Sequence, residues 1–448
     1  VNPRPPLDPG PYLVVGLARS GRAAGLALAA RGETVLGVDA GHPDVSDLLA
    51  GGVQVALGDS GVDLLAGVRT VVKSPGVPAT APVLVEAAAR GLPIVGELEL
   101  AWRLLPNEFI AVTGTNGKTT TTELIGHIHA VAGEPVAVAG NVGTALASLV
   151  GRLDDAATVV CEASSFQLED AVHFAPEGAV LLNLSPDHLD RHGTFEAYRA
   201  AKLRVFARQG NDDVAVAPIG IGIEDLGGCA RRVCFGTTPQ AELSWQSETL
   251  WWDHQPLIAV DEVRLRGEHN VHNAMAAAAI TLARGLESEA VAEALRSFAG
   301  VAHRLEELAP QEGVLYVNDS KATNVASAVV ALASFAPASV HLILGGEGKG
   351  QDFTPLRSPV ARAARAVYLI GRDGPQIAAA LAGSEVPVIE CVDLERAVEE
   401  AAGRARGGEV VLLSPACASF DQYPDFEARG EHFRTLVARR RVNRSSAG

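Results

Sequence analysis

Thr113-Gly-Thr-Asn-Gly-Lys-Thr-Thr120 stands between the apolar run 109–112 and a segment whose Leu124, Ile125, Ile128 and Val131 share one helical face. A strand that passes through a glycine-rich turn into a helix presents backbone N–H groups and the positive end of the helix dipole to an anion. Gly114 and Gly117 let the turn close, Lys118 brings a compact cation, and the Thr119 hydroxyl suits a phosphate-bound magnesium ion. Val112 stands where the usual phosphate-loop pattern has its first glycine. A merely glycine-rich turn does not account for Lys-Thr-Thr opening a good helix. Alone, the stretch predicts a protein that handles ATP or GTP on an α/β scaffold.

Working outward, short apolar runs alternate with helical patterns along nearly the whole chain, which predicts parallel α/β architecture. Upstream, strands are expected at 12–15, 34–38 and 71–72, helices at 21–30 and 81–90, and a first unit ending near 100–106. Downstream, strands are expected at 158–161 and 179–182, irregular strands and loops over 211–265, and a helix at 273–283. A third unit after His303-Arg304 has expected strands at 315–318, 341–344, 366–370, 386–390 and 410–413. A last helix at 426–440 is expected to end in a frayed basic tail. At 448 residues the chain is long enough for two or three cores.

Of 37 lysines and arginines only five are lysine: Lys73, Lys118, Lys202, Lys321 and Lys349. Arginine carries nearly every other positive charge, so these five are candidates for work a guanidinium cannot do, such as losing a proton and reacting. Lys202 is the most informative. It lies four residues after Tyr198 and seven after Phe195, on the same stripe as Val205 and Phe206. A lysine facing inward is costly unless neutralised or paired, and the plain alternative is a stem that snorkels to solvent.

Other chemistry-bearing groups sit where expected strands end, the edge at which an α/β sheet meets its ligand. Glu162 ends one such run and begins Glu-Ala-Ser-Ser-Phe-Gln167. Asp187, His188 and Asp190 follow another. Gly267-Glu-His-Asn-Val-His-Asn273 precedes the alanine-rich helix and offers Asn270 and Asn273, which could equally be caps. In the third unit, Asn318-Asp-Ser-Lys-Ala-Thr-Asn324, Gly345-Gly-Glu-Gly-Lys-Gly350 and Ser414-Pro-Ala-Cys-Ala-Ser-Phe-Asp-Gln-Tyr423 mark one ligand edge. Gly16-Leu-Ala-Arg-Ser-Gly21 with Asp39 is a weak dinucleotide fingerprint lacking its middle glycine. A dehydrogenase read from it leaves Lys118, Glu162, His188 and Lys202 unexplained. A regulator that binds ATP without turnover is the other alternative.

The net charge of −16 argues against a general nucleic-acid binder. No apolar run reaches the roughly 20 residues of a membrane span. The opening Val-Asn-Pro-Arg-Pro-Pro is not a secretory leader, and the five cysteines form no CxxC pair, so a reduced, cytoplasmic protein is expected.

These motifs in this order resemble the Mur ligase family of peptidoglycan synthesis, over essentially the whole chain. The segments 114–120, 187–206, 267–273, 318–324 and 414–430 carry the resemblance. It implies an α/β fold of three domains: a Rossmann-like N-terminal UDP-sugar domain (1–103), a central P-loop-type mononucleotide-binding ATPase domain (104–302), and a Rossmann-like C-terminal amino-acid domain (303–448). The last two motifs are similar to those of members that join D-glutamate to UDP-N-acetylmuramoyl-L-alanine through an acyl phosphate.

The resemblance further implies that Gly114, Thr115, Asn116, Gly117, Lys118, Thr119, Thr120, Asn270, Arg304 and Asp319 hold ATP. Thr119 and Glu162 would serve one Mg2+, and His188 and Lys202 a second, with Lys202 carried as a CO2-derived carbamate. Lys118, His188 and Lys202 would be catalytic. Ser20, Asp39, Ser74, Asn141, Ser164, Gln167, Lys321, Thr323, Lys349, Ser419 and Phe426 would meet the substrates. After Asp39 this chain reads Ala40-Gly41, where some relatives carry threonine and arginine at the uridine end. A monomer whose domains close on ATP binding is expected. The related folylpolyglutamate synthases lack an N-terminal domain of this kind, which sets this chain apart from them.

Overall fold

A computed structural model describes residues 1–141, 143–221, 226–265 and 267–445, with the side chains of Asp190 and of residues 441–445 outside the description. The chain forms two compact units, Val1–Arg264 with His269–Phe298, and Leu265–Glu268 with Ala299–Gly448.

The first unit holds two sheets. Strands β1 (Tyr12–Val15), β2 (Val35–Asp39), β3 (Gln54–Leu57), β4 (Thr70–Lys73) and β5 (Ile94–Gly96) form a wholly parallel sheet of order β3-β2-β1-β4-β5. Alternation along β1 and β4 explains the unbroken apolar runs. Leu13, Val15 and Val71 pack on one face, while Tyr12, Val14 and Val72 pack on the other.

The second sheet is built from β6 (Phe109–Thr113), β7 (Val136–Gly140), β8 (Thr158–Glu162), β9 (Gly178–Leu181), β10 (Val214–Pro218), β11 (Arg231–Gly236), β12 (Leu243–Gln246), β13 (Thr249–Trp252) and β14 (Gln255–Ala259). Its order is β14-β13-β12-β11-β10-β9-β6-β8-β7, parallel from β7 to β12 and antiparallel at the far edge. Strand β6 lies between β8 and β9, so the turn after it opens at the ligand edge among the turns that follow its neighbours.

The helix Glu97–Leu104 follows β5 and binds the two sheets of this unit together. Glu97 accepts from the Ala147 N–H at 2.8 Å. Two residues on, Glu99 accepts from Val172, His173 and Phe174 N–H at 3.2, 3.1 and 2.9 Å. At the end of β4, Lys73 is 2% exposed and donates to Asp170 at 2.6 Å across the same junction.

In the second unit, β15 (Glu306–Gln311), β16 (Val314–Asn318), β17 (Val340–Gly345), β18 (Ala364–Ile370), β19 (Val388–Val392) and β20 (Val410–Leu413) take the order β15-β16-β20-β17-β18-β19. All neighbours are parallel except β15, which runs antiparallel at one edge. Val317, Leu342, Val367 and Leu412 fill one face, and Tyr316, Ile343, Tyr368 and Val411 the other. The last helix, Phe426–Ser445, runs through the stretch expected to fray. The region 211–265 is more regular than its sequence suggests, since it supplies five consecutive strands.

Candidate active site

Strand β6 is buried along its length, and the chain leaves it through Gly114 at φ +146° and Gly117 at φ +86° before the helix Lys118–Ala132 begins. Both glycines are required. A Cβ on Gly117 would stand 2.1 Å from Asn273 Oδ1, and one on Gly114 would stand 2.9 Å from Leu182 Cβ. Asn116 and Asn183 bind each other twice, through Asn116 N–H to Asn183 Oδ1 at 2.9 Å and Asn183 Nδ2 to Asn116 O at 3.0 Å. Asn273 donates to Asn270 at 3.1 Å, so two of the amides noted in sequence form one pair beside the loop.

Oxygen donors gather at the first turn of the helix. The buried Thr119 hydroxyl donates to Glu162 Oε2 at 2.7 Å, and Asn141 Nδ2 reaches Glu162 Oε1 at 3.3 Å. A hydroxyl beside a carboxylate at a phosphate loop fits a hard cation such as Mg2+, which takes few ligands from the protein when phosphates and water fill its shell. Thr120 is buried on the following residue.

Lys118 Nζ donates to Gly114 O at 3.1 Å and Thr115 O at 3.0 Å, and Lys202 Nζ donates to the same Gly114 O at 2.7 Å. Lys202 is 2% exposed, so its side chain points inward and does not snorkel to solvent. Burial, reinforced by the neighbouring Lys118 charge, pulls its pKa down to about 7. The Tyr198 ring lies 4.6 Å from Nζ, and the Tyr198 hydroxyl meets Thr115 Oγ1 at 3.0 Å. Neutral lysine at this site is a nucleophile, because it carries a free electron pair.

His188 sits at φ +50°, a left-handed conformation that a non-glycine residue rarely holds outside a constrained site. Its side chain is half exposed, stands 3.6 Å from Asp187 Oδ2 and lies against the Phe166 ring with centroids 4.8 Å apart. The Asp190 side chain lies outside the described residues. Ser164 and Gln167 form a capping box at the helix Ser165–Glu169, in which Gln167 Oε1 accepts from Ser164 while its buried Nε2 has no partner among the described residues.

On the first sheet, Ser74 Oγ donates to Gly16 O at 2.7 Å, and a Cβ on Gly21 would stand 1.8 Å from the same oxygen. Asp39 accepts from Leu17 N–H at 2.7 Å and Gly41 N–H at 2.8 Å, so it ties the loop after β1 to the turn after β2. Ser20 is half-buried in the first turn of the helix Arg19–Ala30. Arg19 reaches Gly143 O at 2.9 Å.

In the second unit the three motifs of the third stretch meet. Asp319 is buried, accepts from Ser414 Oγ at 2.7 Å and Leu305 N–H at 3.2 Å, and is pushed up to about 7 by burial. Arg304 is half-buried and its charge acts on Asp319. Lys321 Nζ stands 5.8 Å from the Phe426 ring centroid, and Thr323 N–H donates to Lys321 O at 2.9 Å. Ser419 is buried next to an exposed Phe420, over which Lys349 Nζ lies at 5.1 Å. Lys349, at φ +51°, is a second left-handed non-glycine residue at a candidate position.

Family models match along the chain in the order of these sites. A MurD-like N-terminal domain of Mur ligases matches residues 11–96, the Mur ligase middle domain residues 112–281, and the Mur ligase glutamate ligase domain residues 303–417. A UDP-N-acetylmuramoylalanine–D-glutamate ligase of Acidobacterium capsulatum is 40% identical over 95% of each chain. One of Pelotomaculum thermopropionicum is 42% identical over 95% of this chain and 96% of its own. The chain belongs to the Mur ligase family. Its three-domain Mur ligase fold is that of the UDP-N-acetylmuramate–alanine ligase of Thermotoga maritima, with TM-score 0.61 at 20% identity over 96% of this chain and 99% of that one. The MurF ligase of Thermotoga maritima in complex with ADP superposes with TM-score 0.59 at 17% identity, covering 92% and 96%.

Several residues around this Mur ligase site were not singled out as site residues by sequence reasoning. In sequence Tyr198 is only part of an apolar stripe, yet its hydroxyl hydrogen-bonds to Thr115 of the phosphate loop. Asn183 lies two residues past the end of β9, at the same sheet edge as Glu162, and that position was the available signal. Arg191 and His192 flank Phe166, with the guanidinium 3.9 Å from its centroid and the imidazole stacked at 5.5 Å. No spacing rule marked them.

Proposed function

We propose that this chain joins D-glutamate to UDP-N-acetylmuramoyl-L-alanine at the expense of ATP, a step of peptidoglycan synthesis carried out in the cytoplasm, where ATP and nucleotide sugars are made. The observation that carries this reading is 40% identity along 95% of the chain to ligases of that specificity, with a glutamate ligase domain matching the C-terminal stretch. On this reading residues 1–103 bind the UDP-sugar, 104–302 bind ATP and 303–448 bind the amino acid, and the enzyme works as a monomer.

A carboxylate is a poor acyl donor, because amine attack would have to expel oxide. Transfer of the γ-phosphoryl group to the alanyl carboxylate gives an acyl phosphate and releases ADP. The D-glutamate amine then attacks that carbonyl, forms the amide and expels phosphate, with loss of the amine proton. The loop N–H groups, the helix N-terminus and Lys118 hold the transferred phosphoryl group and its charge. Asn270, Arg304 and Asp319 complete the nucleotide contacts. Mg2+ held by Thr119 and Glu162, with a second ion served by His188 and Lys202, would supply further charge neutralisation when bound. Lys202 fits that second role as a carbamate: its neutral amine adds to CO2, an N–C bond forms and one proton leaves, which turns a buried cation into an anion.

Ser20, Asp39, Ser74, Asn141, Ser164 and Gln167 face the nucleotide-sugar peptide in this assignment, and Lys321, Thr323, Lys349, Ser419 and Phe426 face D-glutamate. Lys349 and the hydroxyls suit its two carboxylates. Phosphate release assayed with D-glutamate, L-glutamate and diaminopimelate in turn tests the reading. Turnover with D-glutamate alone is expected, and turnover only with another acceptor would overturn it.

A further inference from the structure

Arg429 is among the largest fully buried side chains of the protein, at 1% exposure, and among the described residues no carboxylate lies within 4 Å of its guanidinium. Its partners are neutral. Nε donates to Ser320 Oγ at 3.0 Å, and Nη2 donates to Ser320 O at 2.8 Å and Cys417 O at 3.1 Å. Nη1 reaches Ala418 O at 3.4 Å. Ser320 Oγ in turn donates to Phe426 O at 2.8 Å, and a Cβ on Gly346 would stand 3.3 Å from Nη1. One guanidinium therefore lies where the motif 318–324, the glycine loop 345–350, the motif 414–423 and the start of the last helix converge. These are the segments that carry Lys321, Lys349, Ser419 and Phe426.

A buried charge without a counter-ion costs several kcal/mol, and hydrogen bonds to carbonyl oxygens recover only part of that cost. Methionine or leucine would fill the same space without it. Burial pulls the Arg429 pKa down to about 10, so the group is still a cation near neutrality. The acids that act on it, Asp421 and Asp319, stand beyond ion-pair distance, and the proposed ligand carries two carboxylates.

We infer that Arg429 is a positioning and specificity-determining residue for the acidic amino acid: it ties the acceptor-binding loops to one another and holds a fixed positive charge behind them, without touching the substrate. The inference rests on the D-glutamate reading given above. Planar guanidinium geometry suits the first task, since several donors leave one rigid group toward separate segments. The second task needs only the charge, which separates the two experimentally.

Arg429→Gln, Arg429→Lys and Ser320→Ala in the full chain, each checked for folding by thermal unfolding, provide the test. Steady-state KM is measured for D-glutamate, ATP and UDP-N-acetylmuramoyl-L-alanine. Arg429→Gln should raise KM for D-glutamate about tenfold or more while KM for ATP stays within about twofold. Arg429→Lys should recover part of that loss, and Ser320→Ala should raise the same KM by a smaller factor. Should Arg429→Gln not fold, the other two variants decide. An unchanged KM for D-glutamate, an equal rise in all three constants, or a lysine variant no better than the glutamine one would overturn the inference. Wild type run in parallel separates the two claims. Failure of wild type to use D-glutamate removes the acceptor reading itself, whereas normal wild-type turnover with unaffected variants removes only the role of Arg429.

Discussion

Replacing Glu97 by glutamine should make the first unit progressively more stable relative to wild type as pH rises from 4.5 through neutrality. The Glu97 carboxyl is 1% exposed and has Ala147 N–H on Oε1, while Oε2 is buried without a partner among the described residues. Burial pushes its pKa up from an ordinary 4.5 to about 7, against the smaller opposing pull of the Ala147 and Leu146 N–H groups. A carboxyl with a raised folded-state pKa gives stability that is complete below its unfolded value and is lost as pH rises through its folded value. The window is therefore pH 4.5 to about 7. At about 1.4 kcal/mol per pH unit, that gap is worth about 3 kcal/mol. Glutamine is neutral at every pH but brings two amide donors where the protonated acid has one, a pH-independent offset that leaves the pH dependence of the comparison unchanged. Chemical unfolding at pH 5, 6.5 and 8, followed through the buried Trp102 on the same helix, should show the difference shifting toward glutamine as pH rises. Between pH 5 and pH 8 the shift should amount to about 2–3 kcal/mol. A difference that is constant across this range would refute the reasoning.

Asp170→Asn strands the Lys73 ammonium in a site 2% exposed, and should cost about 3–5 kcal/mol in chemical unfolding. Lys73→Met should cost less, because Asp170 keeps 16% exposure and can hydrate, and the double variant should regain much of the Asp170→Asn loss. Equal costs for the two single changes would contradict that order. Lys202→Ala should lose ligase activity and recover part of it in high concentrations of formate or acetate, which can replace a carbamate's carboxylate. No recovery in a variant shown to be folded would count against the carbamate.

The phosphate loop and the inward Lys202 were legible because each depends on local spacing. Glycines set the loop, and a four- and seven-residue interval put Lys202 on a buried stripe. The strand runs 12–15 and 410–413 were legible for the same reason, being continuous apolar segments buried on both faces. Strands β5 and β7 were not, since Ile94–Gly96 is three residues long and Val136–Gly140 alternates only with alanine and glycine. Partners distant in sequence were also invisible. Nothing near Tyr198 announces Thr115, 83 residues away, and nothing near Arg429 announces Ser320, 109 residues away. Arginine so outnumbers lysine here that one fully buried guanidinium does not stand out in composition. Glu97 and Glu99 read as ordinary helix-start acids, and only the packing reveals that they accept hydrogen bonds from the second sheet's loops.

The Lys73–Asp170 pair also bears on how the protein is made. The two residues are separated by 97 positions, so at about 5–20 residues per second a ribosome delivers the lysine several seconds before its partner. During that interval the first sheet can assemble, but its fourth strand ends in an ammonium that must stay hydrated. The N-terminal segment therefore leaves the tunnel with one boundary unfinished, and the later arrival of Asp170 dries it. A nascent chain stalled before residue 170 should keep that boundary open to proteases, and one stalled well beyond it should not.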